Sequence, residues 1–195
     1  MIKGRLAGLR PACEADIEIL IPWTLDPELC RLLYGSVLNS KNEQTVYLRS
    51  IIKQQANSFP TALLYMIETR SGVPIGFLNL HSIDWKNGSL MNDMAIAEEG
   101  YRAKGASIEV ICLTLDLVFK ELNMNKLCGN VHDFNKASLG LYKKCAPFGI
   151  EQEGTLRQHV FRAGAYHDSH VFSILRKDYL QKAQLLKKLA GLGVQ

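Results

Sequence analysis

The sequence predicts an α/β (α+β) fold: a single domain with a mixed, mainly antiparallel central sheet flanked by helices. Three observations predict it. Ala62 to Glu68, Ile75 to His81 and Ser89 to Ala97 are strand-length runs separated by the turn signals Ser71-Gly72-Val73-Pro74 and Asn87-Gly88. Strands joined this tightly form an antiparallel meander. Ile108, Ile111, Cys112, Leu115, Val118, Phe119 and Leu122 then recur at three- and four-residue spacing, as one face of a long amphipathic helix. Lys126 to Val131 reads as a buried strand directly after that helix, which is the helix-to-strand step of a parallel crossover.

The remaining elements follow in chain order. Pro11 to Ile21 has a helical apolar rhythm, and Asp26-Pro27-Glu28 supplies a cap, a first-turn proline and an acidic first turn. Val46, Leu48, Ile51 and Ile52 place a third helix over about Glu43 to Gln55, before Pro60 forbids its continuation. Downstream, Asn135 or Asp133 caps a helix to about Lys144. Thr155 to Arg162 and Tyr166 to Leu175 are strands joined by Ala163-Gly164 as a hairpin, whose exposed edge suits a homodimer. From Asp178 onward, Leu180, Leu185, Leu186 and Leu189 among lysines give a weak helix, expected to fray at the surface. The domain is accordingly placed at residues 1–180 and a C-terminal helical tail at 181–195.

With 195 residues, 47% of them hydrophobic and 22% charged, the chain can bury one full-sized core, and no linker divides it. The net charge of +4 comes from scattered residues without a basic run or an aromatic-and-basic stripe, so nucleic acid is not an expected partner. Cys13, Cys30, Cys112, Cys128 and Cys145 are odd in number and lack CxxC or metal spacing, which fits free thiols in a reducing cytoplasm. No stretch of about 18 apolar residues occurs, so no membrane span is expected. His81, His159, His167 and His170 are too dispersed for a metal site, and none is expected to bind metal.

The chemistry concentrates between Met91 and Ser107, where a strand passes through a small-residue loop into the amphipathic helix. Such a loop directs backbone N–H groups and the positive end of a helix dipole at one point, which is a phosphate site. Gly105 permits close backbone approach, while Arg102 and Lys104 add positive charge suited to a diphosphate.

Arg102-Ala103-Lys104-Gly105-Ala106-Ser107 resembles the acyl-CoA loop of the GNAT superfamily of acetyltransferases. Arg102 and Gly105 match its pattern; Ser107 stands where a second small residue without a side-chain oxygen is usual. Asn135-Lys-Ala-Ser138 followed by Leu141-Tyr142 is similar to a later motif of that superfamily. The branch of ribosomal-protein N-terminal, polyamine and nucleotide-aminosugar acetyltransferases is closest in texture. Cys145-Ala-Pro-Phe-Gly-Ile-Glu-Gln departs from the branch by a small insertion.

The resemblance implies direct transfer of acetyl from acetyl-CoA, as co-substrate, to a primary amine: a protein N-terminus, an aminosugar nucleotide or a polyamine. It implies cofactor contacts at Met94, Ala95, Ile96, Arg102, Ala103, Lys104, Gly105, Ala106, Ser107, Asn135 and Ser138. Tyr142 becomes the candidate general acid for the departing thiolate. Asp93, acting directly or through water, and His132, at the end of the buried strand, are the candidate bases. Trp23, Trp85, Arg157 and His159 are candidates for acceptor contacts. Two other readings stay open: a non-catalytic acyl-CoA-binding or protein-interaction module of the same fold, and an acyl carrier on Cys145, for which no base is apparent.

Overall fold

The computed structural model of the chain describes residues 2–33, 40–102 and 105–191. Its centre is an eight-stranded sheet in the order β1-β2-β3-β4-β5-β6-β8-β7. The strands are β1 (Ile2–Lys3), β2 (Ala7–Pro11), β3 (Leu63–Thr69), β4 (Pro74–Asp84), β5 (Ser89–Ile96), β6 (Lys126–His132), β7 (Glu151–Arg162) and β8 (Ala165–Leu175). Neighbours run antiparallel except β5 and β6, which are parallel because helix α4 (Ala106–Asp116) carries the chain across between them.

Two helical layers cover the sheet. Helices α1 (Ile17–Thr24), α2 (Pro27–Leu33) and α3 (Lys41–Gln54) pack Leu20, Leu29, Leu48 and Ile51 against Leu64, Met66, Phe77 and Ala95. On the other core, α4, α5 (Lys136–Cys145) and α6 (Arg176–Leu189) cover Leu78, Leu80, Leu90, Leu127 and Val131. Each fully buried leucine or isoleucine contributes about 1.5–3 kcal/mol relative to exposure. The start of α3 is set by Ser40, whose Oγ accepts from the Glu43 N–H while the Glu43 carboxylate accepts from the Ser40 N–H.

The structure corrects the expectations at both ends of the chain. Residues 7–11 form a strand, and the helix expected from Pro11 begins only at Ile17 after a 3-10 turn at Glu14–Asp16. Arg10 explains the strand: its guanidinium leaves β2 to reach Asp16 and Glu68, both buried, at 2.8 Å each. At the other end, α6 does not fray at the surface. It spans residues on both sides of position 180 and buries Tyr179, Ala183 and Leu186, with the Tyr179 hydroxyl donating to Asp116 at 2.9 Å. Leu180, Leu185 and Leu189 are the exposed leucines, so a helix that buries other positions read as a surface element. β7 also begins at Glu151 rather than Thr155 and forms an exposed sheet edge.

Candidate active site

The sheet opens at its one parallel junction. Ser89, Leu90 and Met91 pair with Lys126, Leu127 and Cys128, and the ladder stops there although β5 continues to Ile96 and β6 to His132. β6 stays paired with β8 along its whole length, from Lys126 to His132, so it cannot follow β5. Beyond Met91 the strands diverge and leave a wedge in the middle of the sheet, bordered by Met94, Ala95 and Ile96 on β5. A cavity adjoins the wedge, with Asn92, Met94, Ile111, Cys128 and Tyr142 among its walls.

Helix α4 begins at the end of β5. Gly105 is its N-cap with φ +83°, a left-handed conformation that strains any residue with a Cβ. No side chain caps this terminus among the described residues, so the first-turn N–H groups of Ala106 and Ser107 are free to meet an anion. Arg102 folds back on β5: its Nε donates to the Ile96 carbonyl at 2.9 Å and its Nη2 to the Ala97 carbonyl at 2.8 Å. The loop is thereby clamped to the strand it leaves. Ala103 and Lys104 lie outside the described residues.

Tyr142 projects from α5 toward β6, stacked on Phe172 with ring centroids 4.6 Å apart. A Cβ on Gly129 would stand 2.6 Å from its hydroxyl oxygen, so the missing side chain of β6 makes the phenol's seat. Burial, with the charge of Asp93 adding to it, pushes the phenol up to about 12, which keeps it protonated at neutral pH.

Asp93 and Tyr142 lie close enough to the wedge to feel each other electrostatically. The Asp93 carboxylate is 3.1 Å from Nε2 of His81 on β4, a residue not assigned a role from the sequence. His132 sits at the end of β6 with a buried Nδ1 that finds no hydrogen-bond partner among the described residues, and burial lowers its tendency to protonate. Its ring packs near Phe134, beside Arg162 and the end of α2. Asn135 accepts from the Ser138 N–H at 3.0 Å and so caps α5, while Asp133 pairs with His167 at 3.0 Å instead.

The candidate acceptor residues do not converge. Trp23 Nε1 donates to Glu98, Trp85 Nε1 donates to the Pro60 carbonyl, and Arg157 and His159 are exposed on β7. Cys145 is fully buried and its thiol is pushed up to about 11 by that burial, a poor state for a nucleophile. Gly129 was the residue sequence reasoning missed; a lone glycine inside a buried strand was its signal.

Comparison with known proteins agrees with this arrangement. Residues 7–146 match the family described as acetyltransferase (GNAT) domain. An SPbeta prophage-derived uncharacterized N-acetyltransferase of Bacillus subtilis is 34% identical over 105 residues, which span 54% of this chain and 57% of that protein. A spermidine N(1)-acetyltransferase of Vibrio cholerae is 29% identical over 120 residues, 62% of this chain and 67% of that protein. The crystal structure of spermidine N-acetyltransferase from Vibrio cholerae with CoA and spermine superposes with a TM-score of 0.79 at 22% identity, covering 90% of this chain and 98% of that one. With the wedge, the uncapped helix and the buried phenol in one place, the chain belongs to the acetyltransferase (GNAT) family and is an acetyl-CoA-dependent N-acetyltransferase.

Proposed function

We propose that the enzyme acetylates a small primary amine of the polyamine class by direct attack of the amine on the thioester. The wedge between β5 and β6 carries this reading, because it opens two residues before Asp93 on β5 and the phenol of Tyr142 lines the cavity that adjoins it. The diphosphate of the co-substrate rests on the N–H groups of Ala106 and Ser107, with Gly105 allowing the approach and Arg102, Ala103 and Lys104 forming the loop. The pantetheine arm runs along Met94, Ala95 and Ile96, whose backbone supplies the carbonyl-polarising donor. Asn135 and Ser138 shape the start of α5 beside it.

Tyr142 is the proton donor for the leaving thiolate, which its protonated state at neutral pH supports. Asp93 receives the cationic amine. His132 is the weaker candidate base, since burial disfavours its taking up a proton. A polyamine is favoured by the name of the Vibrio cholerae relative and by the carboxylate at the wedge. Arg162 and Arg31 near His132 favour a second reading, an acceptor with an anionic end such as an aminosugar nucleotide or a peptide. We assign the reaction to the cytoplasm, which the absence of disulfides among five free cysteines supports.

A thiol-release assay with acetyl-CoA tests this against spermidine, spermine, peptides with free N-termini and aminosugar nucleotides. Turnover is expected with the polyamines. Turnover with only the anionic acceptors selects the second reading, and CoA binding without any turnover selects the non-catalytic module.

A further inference from the structure

The wedge has a second polar face of which the roles above use only Asp93. Asn79 and His81 on β4 and Asp93 on β5 alternate with core-facing residues and so share one side of the sheet, the side covered by α3. His81 reaches Asp93 as its diagonal neighbour on that face, since His81 pairs with Met91 and Asn79 with Asp93, and β4 becomes irregular just beyond it. The β4–β5 register shifts between His81 and Asp84, and Ser82 adopts φ +51°, rare for a residue with a side chain. A bulge of this kind re-aims the side chains beside it, and such strain is retained where the surroundings require it.

The resulting contacts form a chain. Ser82 Oγ lies 3.1 Å from His81 Nδ1, and His81 Nε2 lies 3.1 Å from Asp93 Oδ2. Both side chains of the pair are about a quarter exposed, at 29% and 26%, so they are open to solvent and to an incoming amine. Charged or titratable groups face Asp93 from every side: His81 from β4, Tyr47 from α3 and Tyr142 from α5. The carboxylate stands on the α3 side of β5, two residues beyond Met91, where the pairing with β6 ends.

We propose that His81 is a positioning residue that works through Asp93, holding the carboxylate toward the wedge and sharing the proton that the amine must lose. This rests on the acetyl-transfer reading above. An ammonium binds as the counter-ion of Asp93 and gives up one proton, which resides on the Asp93–His81 pair as carboxylate and imidazolium. The neutral nitrogen forms its bond to the thioester carbonyl carbon, and the carbon–sulfur bond breaks. Tyr142 protonates the sulfur and is reprotonated by the second proton leaving nitrogen, while the first proton passes from the pair to water. One amide, one thiol and one proton result from one ammonium and one thioester. Ser82 fixes the far ring nitrogen and so the orientation of the imidazole.

The test compares wild type with His81→Gln and Ser82→Gly, using spermidine as amine. Glutamine keeps a polar head but takes up no proton; glycine suits the left-handed backbone and removes the hydroxymethyl group. His81→Gln is expected to lower kcat on the order of 100-fold. The loss should shrink as pH rises and free amine accumulates. Spermidine affinity for the CoA-loaded protein, read by calorimetry, should change by less than about threefold, as expected when the hundredfold loss lies in proton transfer. Ser82→Gly is expected to fall between the two. A His81→Gln enzyme with wild-type kcat and pH profile overturns the proposal alone, as does equal loss of kcat, spermidine affinity and melting temperature, which marks a structural role. A wild type that binds CoA yet releases no thiol with any amine overturns the acetyl-transfer reading and this proposal together.

Discussion

At the scale of single residues, the site depends on an absence. Gly129 leaves the space that the Tyr142 hydroxyl fills, with only 2.6 Å to where a Cβ would stand. Gly129→Ala should therefore displace the phenol, lowering both activity and stability, the latter by about 1–3 kcal/mol as overpacking does. In a Tyr142→Phe background the clashing oxygen is gone, so the same alanine should cost measurably less; denaturant unfolding of the four proteins of this cycle reads the difference. Tyr142→Phe itself should reduce thiol release on the order of 100-fold as the loss of a general acid. Tyr142 is legible in the sequence through the resemblance of Asn135 to Tyr142 to a family motif, and Asp93 because it lies on the strand leading into the small-residue loop. His81 is not: the alternation rule places it on a face, but only the β4–β5 register, with His81 opposite Met91 and Asn79 opposite Asp93, sets it diagonally against Asp93.

At the scale of elements, the strand–loop–helix unit from β5 to α4 was legible because three signals agree: a strand, a glycine at φ +83° and a helix with one apolar face. The ends of the chain were harder to read. β2 contains a glycine, an arginine and a proline, all poor strand signals, and it forms because tertiary partners surround it. Its Arg10 is the ion-pair partner of two buried carboxylates, and although burial opposes ionisation of Asp16, the bonds from Arg10 and Cys13 hold its carboxyl below the usual range. Arg10→Ala should cost about 3–5 kcal/mol, more than an exposed ion pair, because two buried charges lose their partner. A carboxyl held low contributes stability above its unfolded pKa and loses it as pH falls through the folded value; the variant should therefore show a shallower acid transition. Helix α6 gives a contrast within one element. Leu186 is fully buried and Leu185 is 56% exposed, so Leu186→Ala should cost about 2–5 kcal/mol and Leu185→Ala within about 0.5, as read by urea midpoints.

At the scale of the whole molecule, the opening follows from topology. A sheet that is antiparallel on both flanks meets at one parallel junction, and the crossover helix needed to make that junction delivers its N-terminus to the same end. Anion site, wedge and phenol are thus consequences of one connection. The alkaline limit of stability reports on the phenol's burial. Tyr142 is raised from about 10 in the unfolded chain to about 12 in the fold, so its contribution is complete below pH 10 and lost as pH rises toward 12. Tyr142→Phe should weaken that alkaline loss without abolishing it, because Tyr179 is raised in the same direction.

The central claim is that the start of α4 and the wedge beside it hold CoA. Calorimetric titration of CoA into wild type and Gly105→Val tests it most directly, since valine cannot adopt φ +83° without strain, while a Cβ there would meet only Leu6, at 3.9 Å, among the described residues. The account predicts saturable binding of one CoA per chain by wild type and a loss of at least about tenfold in affinity for a correctly folded variant, an effect of about 1.4 kcal/mol. Absence of CoA binding by wild type, or equal binding by the two proteins, would contradict it.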